Sequence, residues 1–465
     1  MFAEFAASFS ASLSGFVYGQ VTLFDTQIEW VVLWMAAAMV FFTLYLGFIN
    51  VRGFLLSLQI LRGRHADPDA EGEISPLRAL ATAVSGTVGL GNIAGVAIAI
   101  AAGGPGATFW MIVIAFFSMS LKFAEATMGV KYRVRLDDGS IFGGPMYYLK
   151  AGLAERGWPR LGVFLATTYA LFAIPNMMQV AQINQSYSQL SAVTGYQFPW
   201  LFGVSFALLA GVVIVGGIRS IAAVTSRLVP VMCGIYLSAA ITILALSFRE
   251  IPAAFAVILE GAFRPEGVAG GILGVFVVGM RRATYSTEAG LGSSSMAHAA
   301  AKTNQPVSEG LVALIEPFID TIVVSTMTAL IIVITGAYRI EGVNDIQMTS
   351  AAFGSVVSWF PYVLALCVLL FAFSTIISWG YYMSRSWSYL FGYSRTSLRV
   401  YQVLFCLGLV PGAAFTVQQA FDIIDSFFIL LALPNLVGLY LMAPMIKADM
   451  QEYLRRVRSA RPTGS

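Results

Sequence analysis

Two clusters of glycine, hydroxyl and amide residues sit where an apolar helix ought to run unbroken. The first is Ser85-Gly86-Thr87-Val88-Gly89-Leu90-Gly91-Asn92; the second is Arg281-Arg282-Ala283-Thr284-Tyr285-Ser286-Thr287-Glu288-Ala289-Gly290-Leu291-Gly292. Glycine admits backbone conformations that a helix excludes, which frees carbonyls to ligate a cation and N–H groups to hold a carboxylate. Unpaired backbone groups are costly in hydrocarbon, so such stretches persist only where they line a cavity. Tight packing through small residues would explain Gly86 and Gly91 alone, but it explains the whole run to Asn92 less well. Both clusters contain Gly-Leu-Gly, a weak match by itself in a chain with 44 glycines.

Other polar residues within apolar stretches admit two readings each. Asn176, Gln179 and Gln182 form a stripe at i, i+3, i+6 just after a kink expected at Pro175, and could bond between helices or face a site. Ser374, Thr375 and Ser378 beside Trp379 could bond their own i−4 carbonyls, or complete a Na⁺ site, which needs hard oxygen ligands but no formal charge. Glu309, Glu316 and Asp320 fit interior ion pairs and hydrogen bonds, or a proton or ion relay. Lys122 and Glu125, three apart, are expected to pair with each other. His65 and His298 fall at loop or helix ends and indicate no metal site. Cys233, Cys367 and Cys406 lie in separate apolar segments and indicate neither a disulfide nor zinc.

The elements that would position these residues follow from hydropathy. Hydrophobic residues make up 58% of 465, charged residues 11%, and the mean hydropathy is +0.78. That composition indicates a polytopic all-α membrane protein. Apolar windows predict about eleven spans, near 31–51, 78–102, 106–130, 161–187, 199–217, 228–248, 270–300, 308–336, 356–385, 397–415 and 419–446. With the N-terminus outside, the inward connections hold 21 Lys and Arg and the outward ones 3, which predicts a cytoplasmic C-terminus. Residues 1–30 carry Glu4, Asp25 and Glu29 but no Lys or Arg, the reverse of a cleavable signal's basic start. The net charge of +3 is spread through loops and forms no basic face, so no nucleic-acid partner is expected. The two clusters each open a five-span block and run in opposite directions. This predicts an inverted five-plus-five repeat, 78–248 and 270–446, preceded by the extra helix 31–51. The small residues from Ser293 to Ala301 are expected to line a cytoplasmic vestibule.

On these motifs the chain resembles the alanine/glycine:cation symporter family, within the group that shares the LeuT-type fold. The matching runs are Ser85–Ala97, Gly103-Gly104-Pro105-Gly106-Ala107, Phe109-Trp110-Met111, Gly143–Leu149, Ser286–Ser293, Ala297–Ala301 and Phe371–Thr375. The resemblance implies a Na⁺-coupled importer of small neutral amino acids in a bacterial or archaeal-type cytoplasmic (inner) membrane, with no organic cofactor and no obligatory protein partner. It implies that the N–H groups of Leu90 and Gly91 hold the substrate carboxylate. It assigns Na⁺ to the carbonyls of Ser85, Val88 and Phe371 and the hydroxyls of Ser374 and Thr375. Thr87, Gln179 and Trp379 match substrate-pocket positions, and Gly89, Asn92, Asn176, Ser286 and Thr287 complete the candidate set. Leu90, Pro175, Ala181 and Thr287 depart from the family's common residues, all near the pocket.

Three other readings remain. Proton coupling would rest on Glu288, Glu316 and Asp320. An uncoupled channel would show charged rings or carbonyl filters, which are not evident in the sequence. An enzyme would need a catalytic constellation, and the sequence offers no convincing one.

Overall fold

A computed structural model describes residues 2–23, 26–64, 69–264, 271–343, 345–414 and 418–459; His65 lies outside them. Among the described residues, eight helices are long and apolar enough to cross a membrane, and Trp30–Tyr45 and Pro199–Val215 are shorter apolar helices. The chain is therefore a mostly helical membrane protein, as its composition requires.

Each cluster interrupts a helix, within narrower limits than the sequence predicts. Pro76–Thr87 and Leu90–Gly103 are separated only by Val88 and Gly89. In the second cluster Arg281 to Thr287 stay helical, within Gly271–Thr287, and the chain opens only from Glu288 to Ser294 before the short helix Ser295–Ala299. Arg281 pairs there with Glu29, so its charge is met without breaking the helix.

Two further irregularities occur. The kink expected at Pro175 is a full interruption: Pro159–Ala173 tightens into the 3₁₀ turn Ile174–Met178, and Gln179 adopts a left-handed conformation (φ 45°) before Val180–Thr194. Proline removes an N–H and crowds the preceding turn, which forces this change. In Pro306–Thr335 the segment Phe318–Ser325 is π-helical, a widening that turns Asp320 inward, where it is fully buried.

The N-terminal segment adds elements that no apolar window predicts. Phe2–Val17 is a helix, followed by a hairpin pairing Gln20–Leu23 with Thr26–Glu29. The helix packs along Gln418–Leu430, and Trp30 Nε1 donates to the Phe16 carbonyl at 2.7 Å.

Candidate functional site

The first break is held by its own amide cap. Asn92 Oδ1 accepts from Gly89 N–H at 2.9 Å, and its Nδ2 donates to Ser286 Oγ (3.0 Å) and the Asp320 carbonyl (2.9 Å). One buried amide thus ties the start of Leu90–Gly103 to the helix of the second break and to the π-helical turn. Asp320 also accepts from Thr321 Oγ1 at 2.8 Å and Ser286 Oγ at 3.0 Å. Position 89 is closely approached as well, since a Cβ there would stand 3.0 Å from Thr375 Oγ1 and that hydroxyl would have to shift.

The helix Phe360–Phe391 lays hydroxyls against the same break. Ser374 Oγ and Thr375 Oγ1 donate to the Ser85 carbonyl at 3.3 and 3.1 Å. Ser374 Oγ also reaches the Phe371 carbonyl at 2.9 Å, and Ser85 Oγ donates to the Ser374 carbonyl at 2.8 Å. Val88 is extended (ψ 103°), which turns its carbonyl off the helix axis. Ser85, Phe371, Ser374 and Thr375 therefore form a buried, uncharged array of hard oxygen donors next to Val88 and the broken backbone. Ser378 takes part as well, donating to Ser85 Oγ and the Thr82 carbonyl at 3.0 Å each.

The second break is held by charge. Glu125 Oε1 accepts from the N–H groups of Gly290 (2.9 Å) and Gly292 (3.0 Å) and from Asn435 Nδ2 (2.9 Å). Asn435 also donates to the Gly290 carbonyl at 2.7 Å. Gly292 has φ +73°, and a Cβ there would strike the Pro145 ring, so only glycine fits. The expected Lys122–Glu125 pair does not form. Lys122 instead meets Glu316 at 2.8 Å and Ser294 Oγ at 3.0 Å, because the break's exposed N–H groups claim Glu125. Glu309 meets His298 Nδ1 at 2.7 Å. The segment expected to line a vestibule is buried from Ser293 to Ala301. Arg133 clamps it at the end, donating to the carbonyls of Ala299 (3.0 Å) and Ala301 (2.7 Å).

A cavity of about 410 Å³ lies between the breaks. Its wall takes Thr87, Gly89, Leu90 and Gly91 from the first break, Asn176, Gln179 and Gln182 from the third, and Glu288 and Trp379 opposite. Leu90 and Gly91 stand in the first turn of a helix, where N–H groups have no intrahelical acceptor. The indole of Trp379 lies 5.3 Å from the Phe428 ring, which stacks on Tyr285 at 5.7 Å. Tyr285 OH meets Tyr18 OH at 3.1 Å, so the N-terminal segment closes one side of the cavity. Of the candidate substrate residues, Thr87, Gly89, Leu90, Gly91, Asn176, Gln179 and Trp379 line this space. Asn92, Ser286 and Thr287 are buried behind it, where the first two brace the breaks.

Glu29, Arg281, Arg282, Asp422 and Asp425 also stand in the wall, and two further polar wall residues, Gln182 and Glu288, belong to the site although the sequence did not assign them to the substrate. Gln182 carries a buried side-chain oxygen with no partner, 4.0 Å from where a Gly89 Cβ would sit; its place one turn beyond Gln179 was the available signal. Glu288 is left-handed (φ 52°), with Trp379 Nε1 donating to it at 3.1 Å and Ser293 Oγ at 2.7 Å. Its carboxyl group, inside a run of glycine and hydroxyl residues, was visible in the sequence only as a candidate for proton coupling.

A family model described as the sodium:alanine symporter family matches residues 16–463. The sodium/alanine symporter AgcS of Methanococcus maripaludis is 37% identical over 421 residues, covering 89% of this chain and 92% of that protein. The probable sodium/glutamine symporter GlnT of Bacillus subtilis is 32% identical, covering 91% and 87%. Among solved structures, MhsT in complex with L-phenylalanine superposes with a TM-score of 0.58 at 14% identity, covering 82% of this chain and 93% of that one. That likeness shows the LeuT-type fold.

Proposed function

The chain belongs to the sodium:alanine symporter family, and on that premise we propose that it imports a small neutral amino acid, such as alanine or glycine, together with Na⁺. The observation that carries this reading is the oxygen array of Ser85, Phe371, Ser374 and Thr375 against the broken backbone at Val88-Gly89. The array suits a hard monovalent cation, because Na⁺ takes hard oxygen ligands and needs no formal charge among them. With Na⁺ among the carbonyls of Ser85, Val88 and Phe371, the hydroxyls of Ser374 and Thr375 turn their lone pairs to it and give up their present bonds to Ser85.

The substrate carboxylate sits at the N–H groups of Leu90 and Gly91, favoured by the helix start. Thr87, Asn176, Gln179 and Gln182 supply polar contacts, and Trp379 limits side-chain size. Asn92 and Ser286 act from behind the wall by fixing both breaks, and Thr287 lies beside them. Coupling follows because the same broken backbone forms both sites, so each ligand stabilises the geometry the other needs. In the proposed cycle Na⁺ and the zwitterion bind at the two breaks from outside and the helix bundle rocks against its scaffold, with the N-terminus outside and the C-terminus in the cytoplasm. Inward Na⁺ movement supplies about 2.3 kcal/mol per 100 mV of membrane potential.

The test is radiolabelled alanine uptake into proteoliposomes with and without an inward Na⁺ gradient, with glycine, serine, D-alanine and larger amino acids as competitors. Gradient-driven accumulation competed only by small neutral amino acids is the expected outcome. Equal uptake with choline in place of Na⁺ would overturn the Na⁺ coupling, and accumulation of a different amino acid would move the specificity to Leu90, Pro175, Ala181 and Thr287.

A further inference from the structure

The interior of the bundle holds more carboxyl groups than positive charges to balance them. Among the described residues Glu29, Glu125, Glu288, Glu309, Glu316 and Asp320 are each at most 5% exposed, against Lys122 and His298 at 0%; Glu29 is met by the part-exposed Arg281. Lys122 pairs with Glu316, and His298 lies between Glu309 (2.7 Å) and Glu316 (3.6 Å). Glu125, Glu288 and Asp320 remain without a cationic partner in direct contact. A buried, unbalanced carboxylate is costly, so each of the three needs a proton, strong donors or a visiting cation.

Their surroundings divide them. Glu125 receives three N–H donors, and the Asp320 carboxylate accepts from Asn92 Nδ2, Ser286 Oγ and Thr321 Oγ1 behind the wall. Glu288 differs in that it lines the cavity, where cargo and water can reach it. Its two donors, Trp379 Nε1 and Ser293 Oγ, are neutral. The left-handed backbone at Glu288 costs about 1–3 kcal/mol in a non-glycine residue, and it turns this side chain to the wall. The charged and titratable groups around it are Lys122 on Ala107–Lys131, Glu316 on the Pro306–Thr335 span and the hydroxyls of Tyr169 and Tyr382, while Tyr18, Glu29, Arg281, Arg282, Tyr285, Asp422 and Asp425 share the cavity wall with it.

We propose that the Glu288 carboxyl group binds a proton in the empty protein and releases it when cationic cargo enters the cavity, so that each import cycle returns one proton in the opposite direction. On loading, the carboxyl O–H bond breaks, the proton leaves through cavity water, and the carboxylate faces the positive charge of Na⁺ or of the substrate ammonium. On unloading, the carboxylate takes a proton from the other side. The inference rests on the import reading above and adds a second ion to it.

The test uses the purified protein in weakly buffered detergent solution with a pH-indicating dye near neutral pH. NaCl is added first, with choline chloride as control, then alanine, and bound radiolabelled alanine is counted in the same sample. About one proton released per alanine bound is expected, with release lost in Glu288→Gln and retained in Glu288→Asp. Release on Na⁺ alone would identify the ion as the displacing charge; release only with alanine would identify the ammonium. Alanine binding without proton release from the native protein, or undiminished release from Glu288→Gln, would overturn the proposal. Should no alanine bind, the import of that substrate fails separately, and Na⁺ followed by a mixture of neutral amino acids decides: release abolished by Glu288→Gln upholds the proton site, and no release with either addition overturns it. If Glu288→Gln does not fold, the native protein decides through proteoliposomes. Na⁺-driven alanine entry there should raise the lumenal pH, and a fall or no change would refute the exchange.

Discussion

The two breaks solve one problem by opposite means. At the first, only Val88 and Gly89 leave the helix, and every group that holds them is neutral: the Asn92 amide and the hydroxyls of Ser374 and Thr375. At the second, the chain is open from Glu288 to Ser294 and is held by a buried carboxylate, Glu125, that gathers three N–H donors. Hydroxyls and carbonyls can exchange a hydrogen bond for a cation at little cost, whereas stripping donors from a buried carboxylate is expensive. The first break is thus built to change partners and the second to keep them. Glu288, at the start of the second, is the exception, since it faces the cavity rather than the scaffold.

The sharpest way to break this contrast is Glu125→Ala. It orphans the N–H groups of Gly290 and Gly292, at about 1–3 kcal/mol each, and leaves Asn435 Nδ2 with only its bond to the Gly290 carbonyl. A loss of about 3 kcal/mol or more is expected, visible as a large fall in the melting temperature of the detergent-solubilised protein. Glu125→Gln keeps an acceptor and should recover most of that stability. A melting temperature unchanged in Glu125→Ala would show that the second break does not depend on its carboxylate.

Asn92→Ala comes next. It removes the cap on Gly89 and the brace to Ser286 and to the Asp320 carbonyl, and it takes one donor from the Asp320 carboxylate, Asn92 Nδ2 on Oδ1. About 2 kcal/mol is expected, seen as a roughly thirtyfold drop in alanine uptake at constant protein level. Thr375→Ala should be milder and more selective. Loss of one hydroxyl ligand, worth about 1.4 kcal/mol, should raise the half-saturating Na⁺ concentration about tenfold and leave the melting temperature nearly unchanged. An unaltered Na⁺ dependence would remove Thr375 from the ion site.

The difference between the breaks also explains what the sequence could convey. Glycine and hydroxyl runs marked both interruptions, because those residue types are rare in the middle of an apolar helix unless the backbone must open. Their limits were less legible: Ser85 to Thr87 and Arg281 to Thr287 stay helical because partners far along the chain satisfy them, Phe360–Phe391 for the first and Glu29 for Arg281. Spacing suggested that Lys122 would pair with Glu125, three residues away. The tertiary structure instead offered each a better partner, Glu316 at 194 positions' distance and the Gly290 and Gly292 N–H groups. The π-helical turn that sets Asp320 against Asn92 starts directly after Pro317, and hydrophobic spacing alone does not convey the change of helix type.

The smallest effect tests the aromatic wall. Trp379 makes two distinct contributions, bulk against Phe428 and an indole N–H on Glu288. Trp379→Phe keeps a ring while removing the donor, at about 0.5–1.5 kcal/mol. Trp379→Ala removes both and opens the cavity beside Gly89. If bulk sets the size limit, larger neutral amino acids should compete with alanine several-fold better in Trp379→Ala and only slightly better in Trp379→Phe. If the indole N–H also steadies Glu288, both variants should shift the pH dependence of alanine binding in the same direction, because each leaves the carboxylate with Ser293 as its remaining donor. That donor favours the charged form, so its loss should make Glu288 hold its proton more tightly and move the acid limb of binding to higher pH. A selectivity change without this pH shift would confine Trp379 to a steric role, and a pH shift in Trp379→Phe with unchanged selectivity would separate the two contributions within one side chain.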